Sequence, residues 1–129
     1  MPVDYEIYEN GYYVYAKATG VLTPEEIMDY EREVKLNPTI KSGYKELFDV
    51  RHIEKSEVTI DSFQEIIREV MSDEKRIYRN KLAIVVSGGD SFDRAKYYEN
   101  MIPATKQNVI VFTMLETAKV WLGVDIPEA

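Results

Sequence analysis

The segment "VVSGGDSFDRAKYYENM", residues 85–101, contains groups that could bind an anion. An apolar run ends at two glycines, and Asp90 and Ser91 then precede a helical pattern that includes Arg94. In α/β proteins the turn from a parallel strand into a helix is a common ligand site, and its free N–H groups favour anions. The segment has neither a Walker loop nor a Gly-x-Gly-x-x-Gly fingerprint, however. We therefore predict that Asp90 or Ser91 caps the helix and that Arg94 is the anion contact.

A second polar group lies where the strand-like segment "YKELFDV", residues 44–50, ends. Side chains two residues apart on a strand point to the same side, so Asp49 and Arg51 share one side. Strand ends in an α/β sheet are also ligand-binding positions, and Arg94 could pair either with Asp49 or with a bound anion. The predicted contacts of a ligand or anion are Asp49, Arg51, Asp90, Ser91 and Arg94.

His52 is the only histidine of the chain and the obvious candidate for catalysis. With Asp49 and Glu54 nearby in sequence, general acid–base chemistry is conceivable. A lone histidine has no second ligand for a metal site, and no Gly-x-Ser-x-Gly elbow is present. The chain also has no cysteine, which excludes thiolate chemistry. We therefore predict no enzyme, no metal and no cofactor, and keep a small enzyme that uses His52 as an alternative.

Tyrosines form a third candidate feature, because the chain has 10 of them and five lie within the first fifteen residues. Tyr13 and Tyr15 would share one face of the second strand, and Tyr97 and Tyr98 lie on a later helix. Tyrosine is enriched at interfaces, although its high β-propensity alone explains a tyrosine-rich strand. We predict an interaction surface at these four residues that serves a homodimer, a protein partner or an apolar ligand.

The overall charge excludes one class of partner. The net charge is 16 − 23 = −7 and the pI is near 4.8, whereas nucleic-acid binding normally relies on basic residues. The only basic cluster contains Lys75, Arg76, Arg79 and Lys81, which we interpret as a solvated helix end. No signal peptide and no apolar run of about 20 residues is present. We therefore expect a cytoplasmic protein without nucleic acid or a transmembrane segment.

The N-terminal third of the chain predicts a hairpin followed by a capped helix. Asn10-Gly11 separate the β-type runs "DYEIYE" and "YYVYAKA", which is a strong signal for an antiparallel hairpin because both turn positions need positive φ. Thr23 and Glu26 then form a capping box, and Asn37-Pro38 ends this first helix.

Three strand–helix pairs follow. "YKELFDV" is a buried strand, "RHIEKSEV" a loop and "TIDSFQEIIREVMSDEKRIY" the clearest helix. "KLAIVVS" is a strand that leads into a helix with an apolar face over 92–102, and Pro103 ends it. After the strand "NVIVFT", Thr113 and Glu116 predict a capping box for a last helix that ends at Gly123. The order β-β-α-β-α-β-α-β-α predicts one α/β domain with a mostly parallel five-stranded sheet and an antiparallel first strand.

These motifs, taken in order, resemble the SpoIIAA-like proteins, which are relatives of the STAS domains (sulphate transporter and anti-sigma factor antagonist). The resemblance rests on "ATGVLTPEEI" after the hairpin, "LFDVR" at the end of the next strand and "FDRAKYYE" in the helix after "KLAIVVS". The closing segment "VIVFTMLETAKVWLG" matches the family's final strand and Ala-x-x-Trp-Leu helix. Together these motifs span nearly the whole chain.

The resemblance implies a β/α superhelix with strands in sequential order and helices mostly on one face. It also implies a regulatory or binding role, since STAS domains bind partner proteins and some are switched by phosphorylation of a serine at a helix start. Ser62, after Asp61, is the corresponding candidate, although Phe63 and Gln64 replace the small residues of the STAS motif. A plain role at the helix start explains the same serine better than a phosphorylation switch does, because Ser and Asp favour helix starts.

These observations together predict a non-enzymatic SpoIIAA-like binding or regulatory domain that acts through a protein partner or a small ligand. The alternative is a binder of lipid or of a small apolar molecule that touches membranes, because residues 92–102 form an amphipathic segment.

Overall fold

A five-stranded sheet with four α-helices makes up the part of the chain that the computed structural model describes, residues 3–77 and 80–124. The strands are β1 (Val3–Tyr8), β2 (Tyr13–Leu22), β3 (Lys45–Ser56), β4 (Lys81–Val85) and β5 (Asn108–Phe112), and the helices are α1 (Pro24–Leu36), α2 (Ile60–Met71), α3 (Gly89–Met101) and α4 (Leu115–Leu122). The strands lie side by side in sequence order. β1 is antiparallel to β2, and all later neighbours are parallel, so the predicted fold class is confirmed.

The turn between β1 and β2 needs left-handed backbone, as the Asn-Gly pair predicts. A short 3-10 turn spans Glu9–Gly11, where φ is 54° at Glu9, 58° at Asn10 and 96° at Gly11. A Cβ atom on Gly11 would lie 2.0 Å from the carbonyl oxygen of Thr39, so glycine is required for space as well as for conformation. The hairpin is confirmed, with a 3-10 turn in place of a two-residue loop.

The helices cover both faces of the sheet unequally. α1, α2 and α3 pack on one face, where Tyr30, Ile66 and Ala95 join the larger hydrophobic core. α4 packs on the other face, where Leu115, Ala118 and Leu122 contact a smaller core that contains Tyr13. Most helices therefore share one face, but the opposite face is not open at Tyr13.

Two of the predicted helix caps are wrong. Thr23 and Glu26 form the predicted reciprocal capping box at the start of α1. At α3, however, Gly88 occupies the cap position with a φ of 108°, so neither Asp90 nor Ser91 caps the helix. α4 has Met114 at the cap position without a side-chain bond, because the helix begins later than the Thr113 box requires.

The segment after α1 differs from the prediction in two places. The predicted loop "RHIEKSEV" continues β3 to Ser56, because β2 is long enough to pair with it as far as Leu22. α2 ends at Met71, although the pattern predicts helix to residue 78; residues 78 and 79 lie outside the described part of the chain.

Lys75 and Arg76 of the basic cluster do not form a solvated helix end, and Arg79 lies outside the described part of the chain. Arg76 is buried, and the half-buried Lys75 donates to the backbone oxygens of Val34 and Asn37 at the end of α1. This part of the prediction is wrong because buried carboxylates and helix carbonyls satisfy these cations. Within residues 3–77 and 80–124, none of the helices combines the length and the apolar character that crossing a membrane requires.

The two threonines predicted as caps provide a direct test of this fold. We expect Thr23→Ala to lower the free energy of unfolding by about 1 kcal/mol, because it removes the cap bond to the Glu26 amide. The matched control is Thr113→Ala, since exposed Thr113 makes no cap, and its effect should be within about 0.5 kcal/mol of zero. Urea unfolding measures both, and equal losses would contradict the cap assignment.

Candidate functional site

An apolar cavity of about 100 Å³ lies between the sheet and the three helices that share its larger core. β3 supplies Phe48, Val50 and Ile53 to its wall, and β4 supplies Leu82 and Ile84. Alternation places Phe48 and Val50 of β3 and both residues of β4 on the α1–α3 face. Ile53 reaches the same face because the pairing of β3 with β2 shifts by one residue between Asp49 and His52. Phe48, Ile53 and Ile84 stay only half-buried although they point inward, because the cavity lies beside them.

The helices close the cavity from the other side. Ile27 of α1, Phe63 and Ile66 of α2, and Ala95 and Tyr98 of α3 all line it. The small side chain of Ala95 leaves space where a larger residue would fill the gap. The apolar face of α3 is therefore turned into the protein, and it does not form the amphipathic membrane-facing segment that the sequence suggests.

Ser91 and Arg94 are the polar wall residues contributed by the first two turns of α3. Both side chains are half-buried. Across residues 3–77 and 80–124, neither side chain has a hydrogen bond, and Arg94 has no ion pair. Arg94, which the sequence predicts to be an anion contact, therefore lies on the wall of an apolar cavity with its guanidinium group available.

A buried ionic network forms the polar boundary at the start of β3. Arg76 donates to Glu46 Oε1 at 2.7 Å and to Glu31 Oε2, and the Tyr30 hydroxyl donates to Glu46 Oε2 at 2.5 Å. Asp73 adds a third carboxylate, 3.5 Å from Arg76 Nε. Glu31 and Glu46 also line the cavity. Among the residues that the structure describes, this network therefore places three carboxylates around the Arg76 guanidinium, and two of them line the cavity.

The network shifts the ionisation of its members. Burial raises the pKa of Glu31 to about 7, because the opposing effect of Arg76 is smaller and Glu46 adds to the rise. Burial alone would lower the pKa of Arg76, but Glu31 and Glu46 outweigh it and hold that pKa well above its ordinary value. Arg76 therefore stays charged, while Glu31 changes charge near neutral pH.

Asp49 and Arg51 lie on the opposite face of the sheet. Asp49 is fully buried, and its carboxylate accepts from Arg51 Nε at 3.0 Å and from the second guanidinium nitrogen at 2.8 Å. Burial alone would raise the pKa of the Asp49 carboxyl, but its interactions with Arg51 together outweigh burial and lower that pKa below its ordinary value. The predicted Asp49–Arg94 pair is therefore wrong, because alternation along β3 points Asp49 away from the cavity.

The remaining polar candidates do not join the cavity. His52 and Glu54 are exposed, and Asp90 is exposed on the outer side of α3. Ser62 belongs to a reciprocal cap at the start of α2, where its Oγ accepts from the Thr59 amide at 2.7 Å and donates to the Thr59 carbonyl oxygen at 2.9 Å. Phosphorylation of Ser62 stays a prediction, and it would replace these cap bonds.

The four tyrosines predicted as an interaction surface do not form one. Tyr13 is fully buried under α4, and Tyr98 is buried, with its hydroxyl donating to Gln107 Oε1 at 2.5 Å. Tyr15 lies beside Asp49 on the α4 face, whereas Tyr97 contacts Phe63 on the other face. The prediction is wrong for Tyr13 and Tyr98 because both fill the core, and the two half-buried tyrosines point to different sides.

The ionic network was not predicted from the sequence, although the inward positions of two of its carboxylates can be recognised there. Glu46 precedes Phe48 and Val50 by two and four residues, so strand alternation places it on the cavity side. Glu31 follows Ile27 by four residues and therefore lies on the inward face of α1. Charged residues at two inward positions predict a buried cation between them, but spacing alone does not identify Arg76.

Three solved structures share this fold. An uncharacterized protein of the DUF3478 family with a SpoIIAA-like fold, from Shewanella loihica, superposes with a TM-score of 0.59 at 18% identity, covering 93% of this chain and 91% of that one. The anti-sigma factor antagonist SpoIIAA in its unphosphorylated form gives 0.54 at 9% identity over 95% and 99%. The Bacillus cell fate determinant SpoIIAA in its phosphorylated form gives 0.51 at 9% identity over 92% and 98%.

The chain therefore has a SpoIIAA-like, STAS-like fold, as the sequence motifs indicate. No protein-family model and no curated protein sequence matches it. In residues 3–77 and 80–124, histidine and acidic side chains do not cluster in a way that would hold a metal ion.

The ionisation of Glu31 should make stability depend on pH in a specific direction. The folded chain holds the Glu31 proton to about pH 7, whereas the unfolded chain releases it near the ordinary value of 4.5. The free energy of unfolding therefore falls as pH rises through this window. The side chain that Glu31→Gln introduces cannot ionise. The free energy of unfolding of this variant, measured relative to the wild type, should therefore rise by about 1–3 kcal/mol from pH 5 to pH 8.

Urea unfolding at the two pH values measures this difference. Glu33→Gln is the matched control, because it removes an exposed carboxylate of the same helix. A stability difference for Glu31→Gln that changes no more with pH than the control's would contradict the assignment of Glu31.

Proposed function

We propose that this protein is a non-enzymatic binding domain that takes a small apolar ligand in the cavity between its sheet and α1–α3. The observation that carries the proposal is the cavity itself, about 100 Å³ and lined mainly by aliphatic and aromatic side chains. Apolar cavities of this order stay dry and accept small hydrocarbons, as the ~150 Å³ engineered example that binds benzene illustrates. Concave apolar sites with a few convergent polar groups are also typical of small-ligand binding.

A binding role agrees better with the polar residues than catalysis does. Asp49, which would assist His52 as a general base, is occupied by Arg51, and His52 and Glu54 are exposed. A catalytic group must lie within hydrogen-bond reach of a bound substrate, and these residues are on the face away from the cavity. The arrangement therefore supports a domain that binds without chemical turnover.

The structural neighbours suggest the context of this binding. SpoIIAA is an anti-sigma factor antagonist that exists in phosphorylated and unphosphorylated forms. We propose a regulatory role of this general kind for a cytoplasmic protein, in which occupation of the cavity biases the contacts of α1–α3 with a protein partner. The fold alone does not define that partner.

Filling the cavity provides the test. The wild-type chain should bind 1-butanol saturably, with methyl chemical-shift changes at Ile53, Ile66 and Ile84 in NMR titrations. Ala95→Leu adds three carbon atoms at the cavity wall and should lower the affinity at least tenfold. Ala104→Leu is the matched control because Ala104 is exposed, and it should leave the affinity unchanged.

A second variant guards against a folding defect in Ala95→Leu. Ile84→Phe enlarges a residue of the opposite wall, and a well-dispersed spectrum verifies that each variant is folded. If the wild type binds butanol without saturation, or if both folded cavity variants bind it as tightly as Ala104→Leu does, the cavity is not the binding site.

A further inference from the structure

We propose that the cavity binds a short-chain monocarboxylate, with the carboxylate at Arg94 and Ser91 and the alkyl chain inside. This inference rests on the proposed apolar binding function and adds the charge, the orientation and the size of the ligand. Three observations carry it: an available guanidinium on the wall, a concentration of carboxylates at the opposite end, and the small volume of the cavity.

Arg94 supplies the cationic end of the site. Its side chain is half-buried beside apolar residues, and no described carboxylate pairs with it. Partial burial of a charge is costly unless an opposite charge or hydrogen bonds replace the lost water. A carboxylate headgroup would supply both, because a guanidinium binds carboxylates through two parallel hydrogen bonds. The Ser91 hydroxyl, one helical turn earlier on the same wall, adds a third donor.

The opposite end of the cavity sets the orientation of the ligand. Glu31, Glu46 and Asp73 surround Arg76 there, so among these four groups the carboxylates outnumber the guanidinium whether or not Glu31 is ionised. Tyr98, which lies near this network, is one helical turn from Arg94, or about 6 Å along α3. An anionic headgroup would be repelled from the network and attracted to Arg94. The apolar chain therefore occupies the space between the two ends.

The charge and size of the site favour a short monoanion. Arg94 is the cationic side chain of the wall at this end, and the exposed carboxylates of Asp90 and Asp93 lie next to it on α3. One guanidinium flanked by two acids balances one negative charge better than two, which favours a carboxylate over a phosphate dianion. A cavity of about 100 Å³ also admits only a short chain.

The test compares ligands with the same four-carbon chain and different headgroups. Butanoate, 1-butanol, butylammonium and butyl phosphate are titrated into the wild-type chain at pH 7.5 by calorimetry and NMR. We expect butanoate to bind at least tenfold more tightly than butylammonium and more tightly than butanol and butyl phosphate. The Arg94 Nε–H resonance should shift on addition of butanoate and not on addition of butanol.

The variant Arg94→Gln identifies the headgroup contact. It should weaken butanoate binding tenfold or more and change butanol binding less than threefold. Arg68→Gln is the matched control, because it removes one positive charge from the exposed side of α2 and should leave both affinities unchanged.

The possible results separate this inference from the proposed function. Equal binding of butanoate and butanol, unaffected by Arg94→Gln, would overturn the inference and leave the apolar cavity site in place. Tighter binding of butyl phosphate or butylammonium would overturn the choice of a monocarboxylate. Absence of saturable binding of butanoate and butanol alike would overturn both proposals.

Discussion

The fold depends on the buried guanidinium of Arg76, which connects three separate parts of the chain. Arg76 belongs to the segment that follows α2, and it binds Glu31 of α1 and Glu46 of β3. Its guanidinium carbon lies 5.4 Å from the centre of the Tyr44 ring. A fully buried arginine is costly without partners, so its bonds to Glu31 and Glu46 hold the segment after α2 in place. α1 and the end of α2 are thereby held against the sheet at the start of β3.

This constraint explains why the cavity lies where it does. At the start of β3 the ionic network holds the helices to the sheet, whereas further along the sheet the contacts of α2 and α3 are made by apolar side chains around Ala95. Apolar packing is non-directional, so a gap there leaves no buried polar group without a partner. A gap within the network would leave a charge unpaired. The structure therefore places its empty space on the apolar side of the network.

The sequence predicts the order and direction of the strands because these follow from local patterns. Alternation, the Asn-Gly turn and the capping box at Thr23 each involve residues within a few positions of one another. The errors concern pairs that are distant in sequence. Arg76 resembles a solvated residue at a helix end until Glu31 and Glu46, 45 and 30 positions earlier, are brought beside it. Similarly, Asp49 and Arg94 are on opposite faces although both belong near strand ends.

For the proposed site, the sequence predicts Arg94 as an anion contact but does not predict the cavity beside it. Arg94 is identified from its helix, but the cavity is a property of three helices and two strands that no local pattern describes. An empty volume of this size costs about 2 kcal/mol by the usual cavity relation, and a carboxyl group with a raised pKa on its wall adds a further cost. A ligand that fills the space recovers part of this free energy on binding, because occupation of the native state alone shifts the unfolding equilibrium. Under the proposed function, the position of the cavity between the cation Arg94 and the titratable acid Glu31 would couple ligand binding to both stability and pH.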